Sequence, residues 1–182
     1  VQKNIYLDTC DEETLLRHGK IKLNRLPFQP VAGKYKLEVT GSTGATIPAG
    51  TLFKSNDTAF NPGIIYQVDS DYTLAASTDF SLVRCLTLGP AGKLDVNDTL
   101  TCTVPLPLVD KLATVTEEDV QPLAGESIED YRKKVMLSNR LEPQGGSPGD
   151  YRIWAADAQG VRTVYPYPKF NAPSWVSLFI EA

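Results

Sequence analysis

The chain has 182 residues, with 18 Lys and Arg against 22 Asp and Glu, for a formal net charge of −4. A pI of about 5.0 argues against a nucleic-acid partner, because phosphate binding needs a clustered basic face, and no run approaches the roughly 18 apolar residues of a membrane span. Hydrophobic residues at 42% and charged residues at 22% describe an ordinary globular chain, long enough to bury a core without disulfide staples.

The chain opens on Val1 and closes inside the apolar run 175–180, so both ends read as cut from a longer polypeptide. No signal peptide is visible. Asp11 to His18 carries acids in its first turn and Gly19 just past its end, the polarity of a short capped helix. His18, the single histidine, then sits at a helix C-terminus, where an imidazolium complements the dipole. Pro27 and Pro30 follow as an extended linker. Residues 1–31 therefore read as a helical and extended lead-in.

Residues 32–116 read as an antiparallel β domain. Lys34 to Val39 alternates charged residues with Tyr35, Leu37 and Val39, the period of a half-buried strand. Pro48-Ala-Gly50 favours a tight turn. Further strands are expected at 51–53, 64–68, 72–74, 80–88 and 99–104, with Asn, Asp, Gly and Pro between them. Short strands so spaced suggest a sandwich or a barrel-like domain.

From residue 123 the pattern turns helical. Ser127-Ile-Glu-Asp130 fits a capping box opening a helix over 127–142, with Ile128, Tyr131 and Val135 on one face. Pro143 to Gly146 ends it. Ser147-Pro-Gly-Asp150 repeats the cap for a helix over 147–159, with Pro148 at the first helical position. Tyr151, Trp154, Ala155 and Ala158 then form a stripe that predicts a core-facing Trp154. Arg132-Lys133-Lys134 reads as a solvated helix face. Residues 161–167 and 175–180 read as a hairpin. The class is α+β: an antiparallel β domain, then a helix-turn-helix plus β-hairpin region over 123–182, truncated at its C-terminus.

Chemistry finds little purchase. With His18 the only group titrating near neutrality, a nucleophile–histidine pair has one candidate, and that residue has a structural account. Asp69-Ser-Asp71 and Asp95-Val-Asn97 start like calcium loops, yet lack the glycine at the sixth place and the glutamate at the twelfth. Cys10, Cys85 and Cys102 contain no C-x-x-C pair and read as buried free thiols, although Cys85 and Cys102 could face one another. No cofactor, metal or catalytic residue is expected. Tyr167, Phe170 and Trp175 are candidate interaction residues, because an aromatic there could anchor a partner or stack on a sugar.

The ordered motifs carry more than any single one. Glu129-Asp-Tyr131-Arg132, then Pro143-Gln144-Gly145-Gly146, then Tyr151-Arg-Ile-Trp154-Ala resembles the signature of the baseplate J-like family. Upstream, Ile47-Pro48-Ala49-Gly50 is similar to that family's Ile-Pro-Ala-Gly turn, and Ala91-Gly-Lys-Leu94 and Val104 to Val109 to two further elements. Lys93 and Leu108 depart from the usual Asn and Gly. The resemblance implies a structural component of a contractile phage tail, prophage or injection-system baseplate, acting in the wedge without bond chemistry. Its implied partners are other baseplate or tail proteins, with self-association as a further option, and no nucleic acid, membrane span or small-molecule substrate. Its implied location is the virion, after synthesis in the bacterial cytoplasm. The alternative is a glycan- or surface-binding β module.

Overall fold

The computed structural model describes residues 6–141, 145–169 and 175–181, which fall into two compact units. One unit is Pro30–Ala124; the other joins Val1–Gln29 to Gly125–Ala182. The opening segment, read above as a lead-in of its own, thus shares a unit with the C-terminal region.

The first unit is a closed six-stranded barrel. In chain order its strands are β1 (Lys34–Gly41), β2 (Thr46–Ile47), β3 (Leu52–Ser55), β4 (Ile65–Val68), β5 (Tyr72–Thr73), β6 (Thr78–Cys85), β7 (Thr99–Cys102) and β8 (Val109–Val120). The barrel runs β1-β6-β4-β3-β7-β8 and closes back on β1, while β2 and β5 pair as a small separate ribbon. Every barrel pairing is antiparallel. Closure removes the free edges an open sheet would have to protect. It is helped by three irregularities between β1 and β8, at Lys34/Tyr35, Lys36/Leu37 and Val39/Gly41, since bulges add the bend that curls a sheet.

Alternation sets the barrel core. Tyr35, Leu37 and Val39 of β1 turn inward with Phe53, Tyr66, Val68, Val83, Cys85, Leu100 and Val115. At one end two tyrosines converge. Their rings meet edge to face at 5.9 Å, and both hydroxyls donate to the Gly92 carbonyl, at 3.1 Å from Tyr35 and 3.3 Å from Tyr66. The Leu94 amide donates in turn to the Tyr35 hydroxyl. Burial pushes the Tyr35 phenol up to about 12, so it stays protonated and able to donate. Gly92 has no room for a side chain: a Cβ there would lie 2.8 Å from the Thr87 carbonyl oxygen and 2.5 Å from the Cys85 sulfur.

The twelve-residue β8 was not anticipated as a strand. Only Ala113 and Val115 are buried in Val-Asp-Lys-Leu-Ala-Thr-Val-Thr-Glu-Glu-Asp-Val, so most of its length lacks the apolar alternation that marks a strand. The strand expected over 80–88 ends at Cys85, ahead of a 3-10 turn at Pro90–Gly92.

The second unit holds α1 (Glu12–Lys22), α2 (Ile128–Arg140), α3 (Pro148–Ala156), β9 (Thr163–Pro168) and β10 (Val176–Glu181). Asp11 caps α1 by accepting from the Thr14 amide at 2.9 Å. The helix does not stop at Gly19 but runs to Lys22, and its last-turn bases are Lys20 and Lys22. His18 is therefore inside the helix, and its expected role at a C-terminus does not hold. Gly19 is not a cap either. It is buried against Tyr131, whose ring occupies the space a Cβ would need. Leu15, Tyr131, Val135 and Cys10 form the core there.

Both predicted helix starts are present. Ser127 accepts from the Asp130 amide at 3.0 Å, and its hydroxyl donates to the Asp130 carboxylate at 2.7 Å. Ser147 and Asp150 make a full reciprocal capping box, and Asp150 is almost wholly buried.

Candidate functional site

The residues singled out by motif resolve into structural anchors and exposed apolar surfaces. In the barrel, Ile47 is fully buried and starts a turn in which the Thr51 amide donates back to the Pro48 carbonyl. Gly50 takes a φ of 85°, a conformation glycine adopts without steric cost. The Ala49 amide donates to Asp71 at 2.7 Å, and Asp69 pairs with Arg84 at 3.0 Å. The two carboxylates of the calcium-like doublet thus hold a turn and a strand. Among the described residues no group of three His, Cys, Asp or Glu is placed to hold a metal ion. The three cysteines are free and buried.

In the other unit Tyr131 and Arg132 tie the opening segment to α2. The Tyr131 hydroxyl donates to the Arg25 carbonyl at 2.6 Å, and Arg132 donates to the Leu7 carbonyl at 2.6 Å. At the centre is Glu126, whose side chain is 5% exposed. It accepts from Arg25 at 2.7 Å, from Lys134 at 2.9 Å and from the Phe28 amide at 3.2 Å. Arg25 also pairs with Asp157 at 2.6 Å and lies 4.0 Å above the Phe28 ring. The run Arg132-Lys133-Lys134 is therefore not a solvated face. Arg132 and Lys134 are turned inward by these acceptors, and only Lys133 projects to solvent.

The Gly145-Gly146 pair takes φ values of 76° and 111° and leads the Gly146 amide to Asp150 at 2.6 Å. Pro143, Gln144 and Phe170 lie outside the described residues. Trp154 corrects the stripe prediction: it is 56% exposed, meets Tyr151 edge to face at 5.5 Å and rims a cavity of about 280 Å³ that Arg25, Lys134 and Leu137 also line. The face of α3 that is buried carries Asp150 and Ala156. A nine-residue helix that starts on a buried acidic cap turns a different side inward than its large apolar residues suggest.

Two apolar surfaces remain open to solvent. On the barrel, outward-facing Phe80, Leu82 and Leu86 of β6 and its continuation are 41%, 55% and 48% exposed. On the hairpin, Tyr167 and Trp175 are exposed, as are Tyr165, Leu178, Phe179 and Ile180. Exposed apolar side chains grouped on one strand or one hairpin are candidates for an interaction surface. Tyr167 and Phe179 meet at 82° and so do not form the flat shelf on which a sugar ring would stack. Leu82 and Phe179 were missed in the sequence because the opposite-face alternation of a buried strand gives outward residues no apolar signature of their own; they are simply extra hydrophobes.

A closed antiparallel barrel together with a unit of three helices and a two-stranded hairpin defines an α+β chain. The family model of the Baseplate J-like protein barrel domain matches residues 36–125, so what the chain shares with the baseplate J-like family is its barrel. It is 29% identical over 185 residues to baseplate protein gp47 of Escherichia phage Mu, covering 98% of this chain and 48% of that protein. It is 27% identical over 136 residues to the Mu-like prophage FluMu protein gp47 of Haemophilus influenzae, covering 72% of this chain and 36% of that one. The chain thus spans about half the length of the Mu relative, and less of the other.

Proposed function

We propose that this chain is a structural component of a contractile-tail baseplate, of a phage, a prophage or a related injection system. It acts by protein–protein assembly in the wedge, without bond chemistry. The observation that carries this reading is the joint one: the barrel matches its family model, and the alignment to a protein named for the baseplate runs through both units. The exposed apolar strip of β6 and the aromatic hairpin supply surfaces of the kind that assembly needs. Its partners are other tail proteins, and its place is the virion tail after synthesis in the bacterial cytoplasm.

The test is affinity capture of the tagged protein from cells producing its phage or prophage, followed by labelling of purified particles. Sheath, tube or other baseplate proteins should be retained, and the label should sit at the tail end distal to the head. Particles that carry no label, with no tail protein retained, would overturn the reading. Stabilisation by an added glycan in the same preparation would favour the surface-binding alternative.

A further inference from the structure

The chain carries a net charge of −4, yet one cavity in its helical unit is lined by charge of the opposite sign. The cavity measures about 300 Å³ and lies between α2, α3 and the start of β9. Lys133 and Lys134 reach it from α2, Arg152 from α3, and Arg162 from the residue before β9. No Asp or Glu is among the described residues that line it. Exposure separates its floor from its rim. Ala156 and Val164 are buried beside the Lys134 stem, whereas Lys133, Arg152 and Arg162 are exposed. The floor is therefore mostly apolar and the rim basic.

The cations are only partly answered. Lys134 pairs with Glu126 at 2.9 Å and Lys133 with Asp130 at 3.0 Å. The Asp130 carboxyl is held below its ordinary range by the Ser127 hydroxyl first and Lys133 next, with a smaller pull from Arg162. Arg152 and Arg162 themselves make no ion pair among the described residues. Two carboxylates thus face four cations, and neither carboxylate lines the cavity. Low-dielectric walls concentrate the field of the charge left over.

We propose that this cavity docks an acidic segment of a partner protein, seating one apolar side chain on Ala156 and Val164 while flanking carboxylates pair with Arg152 and Arg162. Charge complementarity sets the sign of the occupant. The apolar floor sets its kind, since a bare anion would leave that floor unfilled. Guanidinium groups grip carboxylates through paired N–H donors, and arginine clusters are a recurrent means of reading acidic motifs. The assembly reading bears only on which protein carries the segment. Binding by the isolated chain is independent of where the protein sits in a particle, so either reading can fail without the other.

The test is fluorescence anisotropy of a labelled peptide, Asp-Glu-Leu-Glu-Asp, titrated with the whole 182-residue chain at low salt. The peptide should bind, and added salt should weaken it. A peptide with Gly in place of Leu, or Lys in place of every acid, should bind worse. Arg152→Glu combined with Arg162→Glu should cut affinity for the acidic peptide at least about tenfold, as reversal of interfacial charge does, and should favour the basic peptide instead. Both positions are exposed, and circular dichroism checks that the variant folds. Arg17→Glu with Lys54→Glu makes the same change in net charge at exposed residues outside the cavity and should bind as the wild type does. Absence of peptide binding overturns the proposal, and so does an equal loss in that second pair. Equal binding of the Leu and Gly peptides, with displacement of both by inorganic phosphate, overturns it as well, because the site would then hold an anion and no apolar side chain.

Discussion

Glu126 shows how one residue holds a discontinuous unit together. Its two oxygens receive Arg25 from before the barrel and Lys134 from after it. Burial pushes the carboxyl up, but the hydrogen bonds from Arg25 and Lys134 outweigh it and hold the group below its ordinary 4.5. A depressed pKa in the folded state contributes stability that is complete above the unfolded value and is lost as pH falls through the folded one. The melting temperature should therefore be level through neutral pH and decline below about pH 4.5. Glu126→Gln should shrink that acid decline and lower stability at pH 7 by about 3–5 kcal/mol, because it takes the carboxylate from the buried Lys134 ammonium and leaves Arg25 with Asp157 alone. Thermal melts across pH check both. Ser81 is the opposite case. Its hydroxyl is buried in β6 with no hydrogen-bond partner among the described residues, where an unsatisfied polar group costs about 1–3 kcal/mol. Ser81→Ala should leave the melting temperature unchanged or raise it, and a clear drop would show that the hydroxyl is engaged.

At the scale of elements, the helix starts were the most legible part of the sequence. Ser-x-x-Asp names its own hydrogen bonds, and both Ser127 and Ser147 make them. Ser147→Ala should cost about 1 kcal/mol and be measurable by chemical denaturation; no loss would mean that α3 is held by packing alone. Strands with clean alternation, β1 above all, were equally plain. The rest was hidden for identifiable reasons. β8 is built mostly of outward residues, and its place is set by pairing with β1 and β7, a long-range fact that local pattern does not carry. Gly19 and Trp154 were misplaced because helix length and the facing of α3 depend on the neighbour each helix packs against. Gly19 receives Tyr131 from another helix, and nothing near Gly19 in sequence announces that ring. The inward turn of Arg132 and Lys134 likewise depends on Leu7 and Glu126, one of them 125 residues away along the chain. The class, α+β with an antiparallel β domain, needed none of these details.

For the whole molecule, the chain path makes the barrel an insertion. Val31 and Leu123 are bridged by backbone hydrogen bonds in both directions, at 2.9 and 3.3 Å, so the two ends of the barrel unit emerge side by side. In the other unit the Glu126 amide donates to the Phe28 carbonyl at 2.8 Å, so the two ends that receive the barrel are also adjacent. Inserted domains with neighbouring ends commonly fold alone. The barrel has its own core and a closed set of strands, and the excised segment 30–124 should fold cooperatively with a β-type circular dichroism spectrum. Gly92→Ala in that fragment should destabilise it by about 1–3 kcal/mol, since overpacking against fixed backbone has that cost. The reciprocal deletion, in which a short Gly-Ser linker replaces 30–124, should keep α1 docked on α2. Hydrogen exchange at the Leu15 and Val135 amides would report it, with protection retained in the deletion variant. A barrel fragment without a cooperative transition, or loss of that protection when the barrel is removed, would mean that the two units fold only as one.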